Sequence, residues 1–376
     1  MTRTRPTTNR LRLTSALLAS GLIAVAAACS SGSDASSETT EATVPETTDA
    51  PTTTRKTTTT TSTTEAPTTT ASPTTTTEAV IPRMPLTGIP LEFGQVAPDR
   101  PALAVKLDNV ECAHRTQVGL NTADIVFEEV VEGRLTRFAA VFHSNSSNPV
   151  GPIRSGRSQD VDMLGGLNRP LLAWSGGNPG VNRVIGESDL IDLSQQTRAG
   201  GYFRARNCGS PHNLFNNTDT LWEQTPPEAG RPTPLFSYLN PDEPPAGADA
   251  SFAELMVGVR PVRWDWDPAS GTYLRSEGGR AHHQDDGSQV STNNVVVLVN
   301  EYRPTAFNAK SPEAVSVGSG QAFVFTGGKV EEGTWTRHDR TWPIDLARAD
   351  GSRIELTPGR TFIEMADVAD HGTTWG

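Results

Sequence analysis

From residue 30 to about residue 80 the chain runs through Thr, Pro, Ser, Ala and Glu with almost no large apolar side chain, in near-repeats such as Thr-Thr-Glu-Ala-Pro-Thr-Thr-Thr. Such a stretch buries too little surface to offset the entropy of ordering its backbone, and disorder is the expectation. Any core must therefore be built from the residues beyond it. As a flexible coil, ~50 residues hold their two ends ~40 Å apart on average. Proline stiffening or sugars on the threonines would lengthen that stalk.

The stalk is preceded by a basic leader with Arg3, Arg5, Arg10 and Arg12, an apolar run over residues 13–28, and Cys29 directly after Ala26, Ala27 and Ala28. The apolar run is short for a bilayer span and ends in small residues, which reads as a secretory signal peptide over residues 1–28. The junction resembles a bacterial lipobox, with alanine at 26 where leucine is usual. Lipidation of Cys29 is the expectation, and an ordinary cleaved signal with an incidental cysteine is the alternative. Two or more acyl chains would anchor the protein stably to the outer face of the cell membrane, with residues 29–82 as the linker. Loss of the leader takes the formal charge from −11 to about −15. That balance argues against nucleic acid as a partner and against a polybasic membrane patch.

The length left over predicts two folded domains, at residues 83–240 and 250–370. In the first, apolar runs predict strands over residues 100–108, 124–132 and 135–143, the last two joined as a hairpin at Gly133. Alternation places Glu128 and Glu129 on opposite faces of their strand. The turn Gly151-Pro-Ile-Arg-Ser-Gly-Arg-Ser combines Arg154 and Arg157 with Ser155, Gly156 and Ser158 just before a helix through Val161 and Leu164. A serine cap, free helix-start amides and two guanidinium forks are suited to carboxylate or phosphate. The opposing reading is that both arginines pair with acidic residues and hold the loop. The second domain shows six short strand-like runs between Gly, Pro, Asp and Asn turns, which predicts a mainly antiparallel β structure. The whole reads as α+β or α/β, a mixed-sheet domain followed by a β domain.

Several strings together resemble the YerB-like family of candidate bacterial lipoproteins. They are Pro85-Leu-Thr-Gly, Ala104-Val-Lys-Leu-Asp-Asn, Gln117-Val-Gly-Leu, Ala123-Asp-Ile-Val-Phe-Glu, Val131-Glu-Gly-Arg-Leu-Thr-Arg, Gly151-Pro-Ile-Arg-Ser-Gly-Arg and Pro211-His-Asn-Leu-Phe, with residues 275–285 and 294–299 and Gly333-Thr-Trp later on. The resemblance implies an extracytoplasmic lipoprotein with an N-terminal and a C-terminal domain of unassigned activity. Its most distinctive positions here are Asp108, Asn109, Arg115, Gln117, Asp124, Glu128, Glu132, Arg137, Arg154, Arg157, Pro211, His212 and Asn213. Cys112 and Cys208 sit inside motifs where the family pattern does not require cysteine.

With Cys29 assigned to lipid, Cys112 and Cys208 remain in an oxidising compartment, and a disulfide between them is the hypothesis. Two separate buried thiols are the alternative, and Cys112 as a nucleophile with His114 or His212 as base is a weaker one. A bond would bring their Cα atoms within ~7 Å and place both turns in one cleft facing the arginine turn. The candidate ligand-binding set is Arg115, Arg154, Ser155, Gly156, Arg157, His212 and Asn213, and His212, Asp108 and Glu128 are candidates for moving protons. No common hydrolase, nucleotide or redox motif occurs, and no metal or cofactor is expected. The reading is therefore an envelope protein binding an anionic or sugar-containing ligand, with a hydrolase or transferase in the same cleft as the alternative.

Overall fold

The computed structural model describes residues 81–197, 199–205 and 208–376. The leader, Cys29 and nearly all of the linker lie outside the described residues. The apolar run after Pro101 becomes β1 (Leu103–Asp108), and α1 (Glu111–His114), β2 (Ile125–Val130) and β3 (Thr136–Phe142) follow. Strands β2 and β3 pair as the hairpin, with Ile125 opposite Val141 and Val130 opposite Thr136. Gly133 turns the corner at φ 70°, in the left-handed region that glycine occupies without strain. Beyond the arginine turn come α2 (Gln159–Leu164), β4 (Leu171–Ala173), α3 (Pro179–Gly186) and β5 (Ile191–Asp192), then a ribbon of β6 (Phe203–Arg204) and β7 (Leu214–Phe215), and α4 (Thr218–Trp222).

The later elements are β8 (Ala248–Asp249), β9 (Phe252–Val257), β10 (Arg260–Asp267), β11 (Thr272–Glu277), β12 (Arg280–Ala281), β13 (Ser291–Thr292) and β14 (Asn294–Asn300). They continue as β15 (Tyr302–Thr305), β16 (Asn308–Ala314), β17 (Gly318–Thr326), β18 (Lys329–Arg337), β19 (Asp345–Ala347), β20 (Thr361–Asp367) and β21 (Thr374–Trp375). Strands dominate and the helices are short, with a mixed sheet in the first part and antiparallel pairing through most of the second.

One sheet runs through both parts in the order β19-β18-β17-β14-β20-β2-β3-β1-β4-β5, with β8 also on β18. Strand β20 lies between β2 and β14 and is parallel to both. Such a central parallel strand must be covered on both faces. Its Phe362 and Ala366 belong to one core and its Ile363 and Met365 to the other. On the first face the second sheet, in the order β12-β11-β10-β9-β21 with β13 on β11, packs Trp264, Tyr273 and Leu255 against Phe138, Phe362 and Phe325. The Trp264 ring lies 4.8 Å from that of Phe362, so this indole is core. On the opposite face α2 and α3 supply Met163, Leu164, Val181 and Ile185 against Phe127, Ala139 and Ile363.

The expected serine cap of α2 is not made. Ser158 holds the N-cap position without a capping hydrogen bond. The Arg157 amide donates instead to Asp160 Oδ2 at 2.8 Å. Asp160 is fully buried, so the seat this turn offers an anion is occupied by a carboxylate of the chain itself. Gly156 answers to packing, since a Cβ there would come within 2.6 Å of the Trp174 ring. At α4 Asn217 likewise holds the N-cap position without a side-chain cap bond.

Candidate functional site

β1 delivers Asp108 to the edge of the core with its carboxylate fully buried. Register places it opposite Arg137 of β3, whose Nη1 lies 3.3 Å from Oδ1. Arg154 Nε lies 3.2 Å from Oδ2, and His212 Nδ1 lies 2.6 Å from the same oxygen. Burial drives the Arg137 guanidinium down to about 10, with Asp108 opposing the shift, and burial likewise lowers Arg154 against the pull of Asp108. The Cys112–Cys208 disulfide, with Cα atoms 6.3 Å apart, fastens the loop carrying His212 to α1. Arg154 Nη1 also reaches the Pro211 carbonyl at 3.5 Å. The segments around 112, 154 and 212 therefore meet at Asp108.

On the same face, Lys106 is fully buried between Glu129, to which it donates a short hydrogen bond, and Asp160 at 2.8 Å. One cation faces two carboxylates. Burial, then the Asp160 charge, push Glu129 up to about 7 against the attraction of Lys106. Because the folded value is raised, this contribution to stability is complete below pH ~4.5 and lost as pH rises through ~7, a change of roughly 3 kcal/mol. Glu129→Gln leaves Lys106 paired one-to-one with Asp160. The variant is expected to match the wild type in urea unfolding at pH 5 and to be the more stable of the two at pH 8. An identical pH dependence for the two proteins would exclude this account.

Glu128 points to the opposite face, where it meets a different cluster. Arg275 of β11 is wholly buried, with Glu128 Oε2 2.5 Å from Nη2, Glu277 Oε2 2.9 Å from Nη1 and Glu364 Oε1 3.9 Å from Nε. Burial would lower the arginine, but the three carboxylates raise it beyond its ordinary value. Burial, then Glu128, hold Glu364 well above the usual carboxylate range. Burial also raises Glu128, against Arg275. Glu128 and Glu364 are register partners on β2 and β20. Glu277 stays low although burial opposes its charge, because Arg275 and His114 attract it.

A hydrogen-bond chain connects the two clusters. Arg275 Nη1 donates to His282 Nδ1 at 2.6 Å, which leaves His282 Nε2–H to donate to Gln117 Oε1 at 2.5 Å. Gln117 Nε2 then donates to the Asp108 carbonyl at 2.6 Å. Burial, then Arg275, keep His282 well below its ordinary value and hence neutral.

Above this chain lies a hollow of about 400 Å³ between α1 and the β10–β12 strands, lined by Arg115, Arg260, Arg280, His114, His282, His283, Glu111 and Glu277. Arg115 is exposed and has no ion-pair or hydrogen-bond partner for its side chain among the described residues. Arg260 stands 3.5 Å from Glu277 and 3.9 Å from Glu111, and Arg280 stands 3.9 Å from Glu111. At those separations the donors of both forks remain unspent. Burial lowers His114 against the attraction of Glu277.

The candidate residues thus fall into separate places. Arg115 lines the hollow, while Arg154 and the partly exposed His212 gather on buried Asp108. Arg157 is tied to Glu132 through Nε at 2.9 Å and a shorter Nη2 contact, which is the holding role. Arg157 and Ser155 line another hollow of about 270 Å³ with Gly176 and Asn178. Asn213 pairs with Arg204 and the Ala205 carbonyl, each at 2.8 Å. Arg260, Arg275, Glu277, Arg280 and Glu364 were not among the expected site residues. Their readable signal was parity: Arg275 and Glu277 are in phase with buried Tyr273 on β11. Among the described residues no group of three or more His, Cys, Asp or Glu is arranged to hold a metal ion.

Residues 86–231 match the N-terminal domain of a protein family of unknown function, DUF3048, and residues 254–363 match its C-terminal domain. The chain belongs to this family. A curated relative from Bacillus subtilis (strain 168), described as "Putative lipoprotein YerB", is 27% identical over 299 residues, covering 77% of this chain and 87% of the relative. The crystal structure of the YerB protein from Bacillus subtilis superposes with a TM-score of 0.67 at 23% identity, over 78% of this chain and 99% of that one. That likeness establishes the shared fold. Both family matches contribute to the hollow: α1 lies in the first and the β10–β12 strands in the second.

Proposed function

We propose that this is an extracytoplasmic protein tethered to the cell membrane by lipid on Cys29, whose folded part binds an anionic or sugar-containing ligand of the cell envelope. The name of the relative and the leader before Cys29 support the tether. The observation that carries the binding role is the hollow at α1, where Arg115 has no side-chain partner among the described residues and Arg260 and Arg280 stand 3.5 to 3.9 Å from Glu277 and Glu111, in ion pairs too long to use up their hydrogen-bond donors. Its volume of about 400 Å³ is in the range of small-molecule sites, roughly 300 to 1,000 Å³. Charge-assisted hydrogen bonds to a phosphate or carboxylate would supply the affinity.

The second reading is catalytic and rests on the 2.6 Å contact of His212 Nδ1 with buried Asp108. A carboxylate that fixes one ring nitrogen orients the other, and His212 retains a partly exposed side chain from which Nε2 could accept a proton. One experiment addresses both. Soluble wall fragments and a sugar phosphate are titrated calorimetrically into the wild type, Arg115→Ala, Arg280→Ala and His212→Ala, and the same mixtures are assayed for products. Each arginine variant is expected to bind at least about tenfold more weakly, the scale of a hydrogen bond between charged groups, with unchanged thermal stability. Turnover abolished by His212→Ala would select the catalytic reading. Unchanged affinity in both arginine variants would remove the binding site from this hollow.

A further inference from the structure

The cationic hollow has a neighbour. Beside it lies a smaller cavity of about 60 Å³ whose walls include Val110, Leu135, Val257 and Val259. The two cavities share Glu111, Arg260 and Glu277 in their linings, so they adjoin, and the smaller one has an apolar end at Val110, Leu135, Val257 and Val259 beside polar Asn109, Arg134 and Thr136. At the apolar end Leu135 is 40% and Val259 52% exposed. Leu135 lies at the β2–β3 corner and Val259 at the β9–β10 corner, so the apolar wall, like the charged one, is assembled from both family segments.

Resting on the binding role proposed above, we infer that the ligand is an anionic amphiphile: a phosphate ester whose charged group lies among Arg115, Arg260 and Arg280 and whose first carbons lie against Val110, Leu135 and Val259. The sugar phosphates of the broader reading satisfy only the charged end. Arg260 serves both ends, its guanidinium toward the anion and its methylene stem beside the carbon chain, as long basic side chains commonly do. At about 30 Å³ for each water-sized group, the small cavity of about 60 Å³ takes roughly two carbons. A chain of that length covers Leu135 and Val259 and removes them from water, which is the source of the added affinity.

The test compares methyl phosphate with butyl phosphate on the folded protein by calorimetry. Full burial of a methylene is worth about a fourfold tightening, so butyl phosphate is expected to bind at least about tenfold more tightly than methyl phosphate. In Val259→Ser the difference between the two esters should shrink severalfold. Val259 is an exposed turn residue outside both cores, so the fold is expected to survive the change, and a thermal melt checks it. Equal binding of the two esters, both weakened by Arg115→Ala, would overturn the amphiphile and leave the anion site standing. Binding of neither ester would overturn both. A butyl advantage that Val259→Ser and Leu135→Ser leave intact would place the chain elsewhere and overturn the inference.

Discussion

Arg275→Met is expected to cost about 3–5 kcal/mol of unfolding free energy at pH 7, the scale for removing one partner of a buried ion pair. The guanidinium is the cation that Glu128, Glu277 and Glu364 surround. Methionine fills much of the same space and returns no charge. Two deprotonated carboxyls at this depth would then face each other uncompensated, and they would bind protons to avoid it. Their folded pKa values rise further, so the variant should recover part of its stability as pH falls from 7 toward 5. The wild type also gains from this cluster on acidification, through the raised Glu128 and Glu364, but by less, because Arg275 holds its Glu277 low. Urea unfolding at both pH values measures the effect. A loss under about 1 kcal/mol at pH 7 would mean that the three carboxyls are already neutral in the wild type. Glu364→Gln is the control: burial and Glu128 already hold this carboxyl well above the usual carboxylate range, and an amide can still accept from Trp264 Nε1, now 2.8 Å away.

Breaking the Cys112–Cys208 bond is the second large effect. The residues are 96 apart in sequence, and closing a loop of that length stabilises the folded state by ~4–5 kcal/mol in the chain-entropy model. Urea midpoints of the wild type with and without reductant, and of Cys112→Ser combined with Cys208→Ser, should differ accordingly. The local consequence is sharper than the global one. The bond joins α1, which forms one wall of the hollow, to the loop that brings His212 to Asp108. A protein without it is expected to lose ligand affinity at the hollow before it loses its sheet. Coincident midpoints in all three conditions would show that neighbouring contacts hold the loop without the bond.

The strands were legible because apolar residues dominate their runs: residues 100–108 contain β1, and the hairpin about Gly133 falls where the turn chemistry places it. The opposite facing of Glu128 and Glu129 follows from the two-residue period of a strand, and it is what divides the charged residues into two clusters. Local pattern could not show that β20, far along the chain, lies beside β2 and brings Glu364 level with Glu128, because pairing across such separations is decided by the tertiary fold. The arginine turn misled for a related reason. Its helix start, glycines and serines do suit an anion, but Asp160 three residues later is that anion. Arg115 stands out through its motif, whereas Arg260 and Arg280 come to line the same hollow only once the second sheet packs against α1.

The insertion of β20 also sets an order of events. A polypeptide emerging N-terminus first exposes one long edge of β2, and later one of β14, until residue 361 arrives to hydrogen-bond both. Unpaired edges of apolar strands invite wrong partners. Throughout that interval the nascent chain is at its most vulnerable to aggregation, and the last long strand acts as the keystone that ends it.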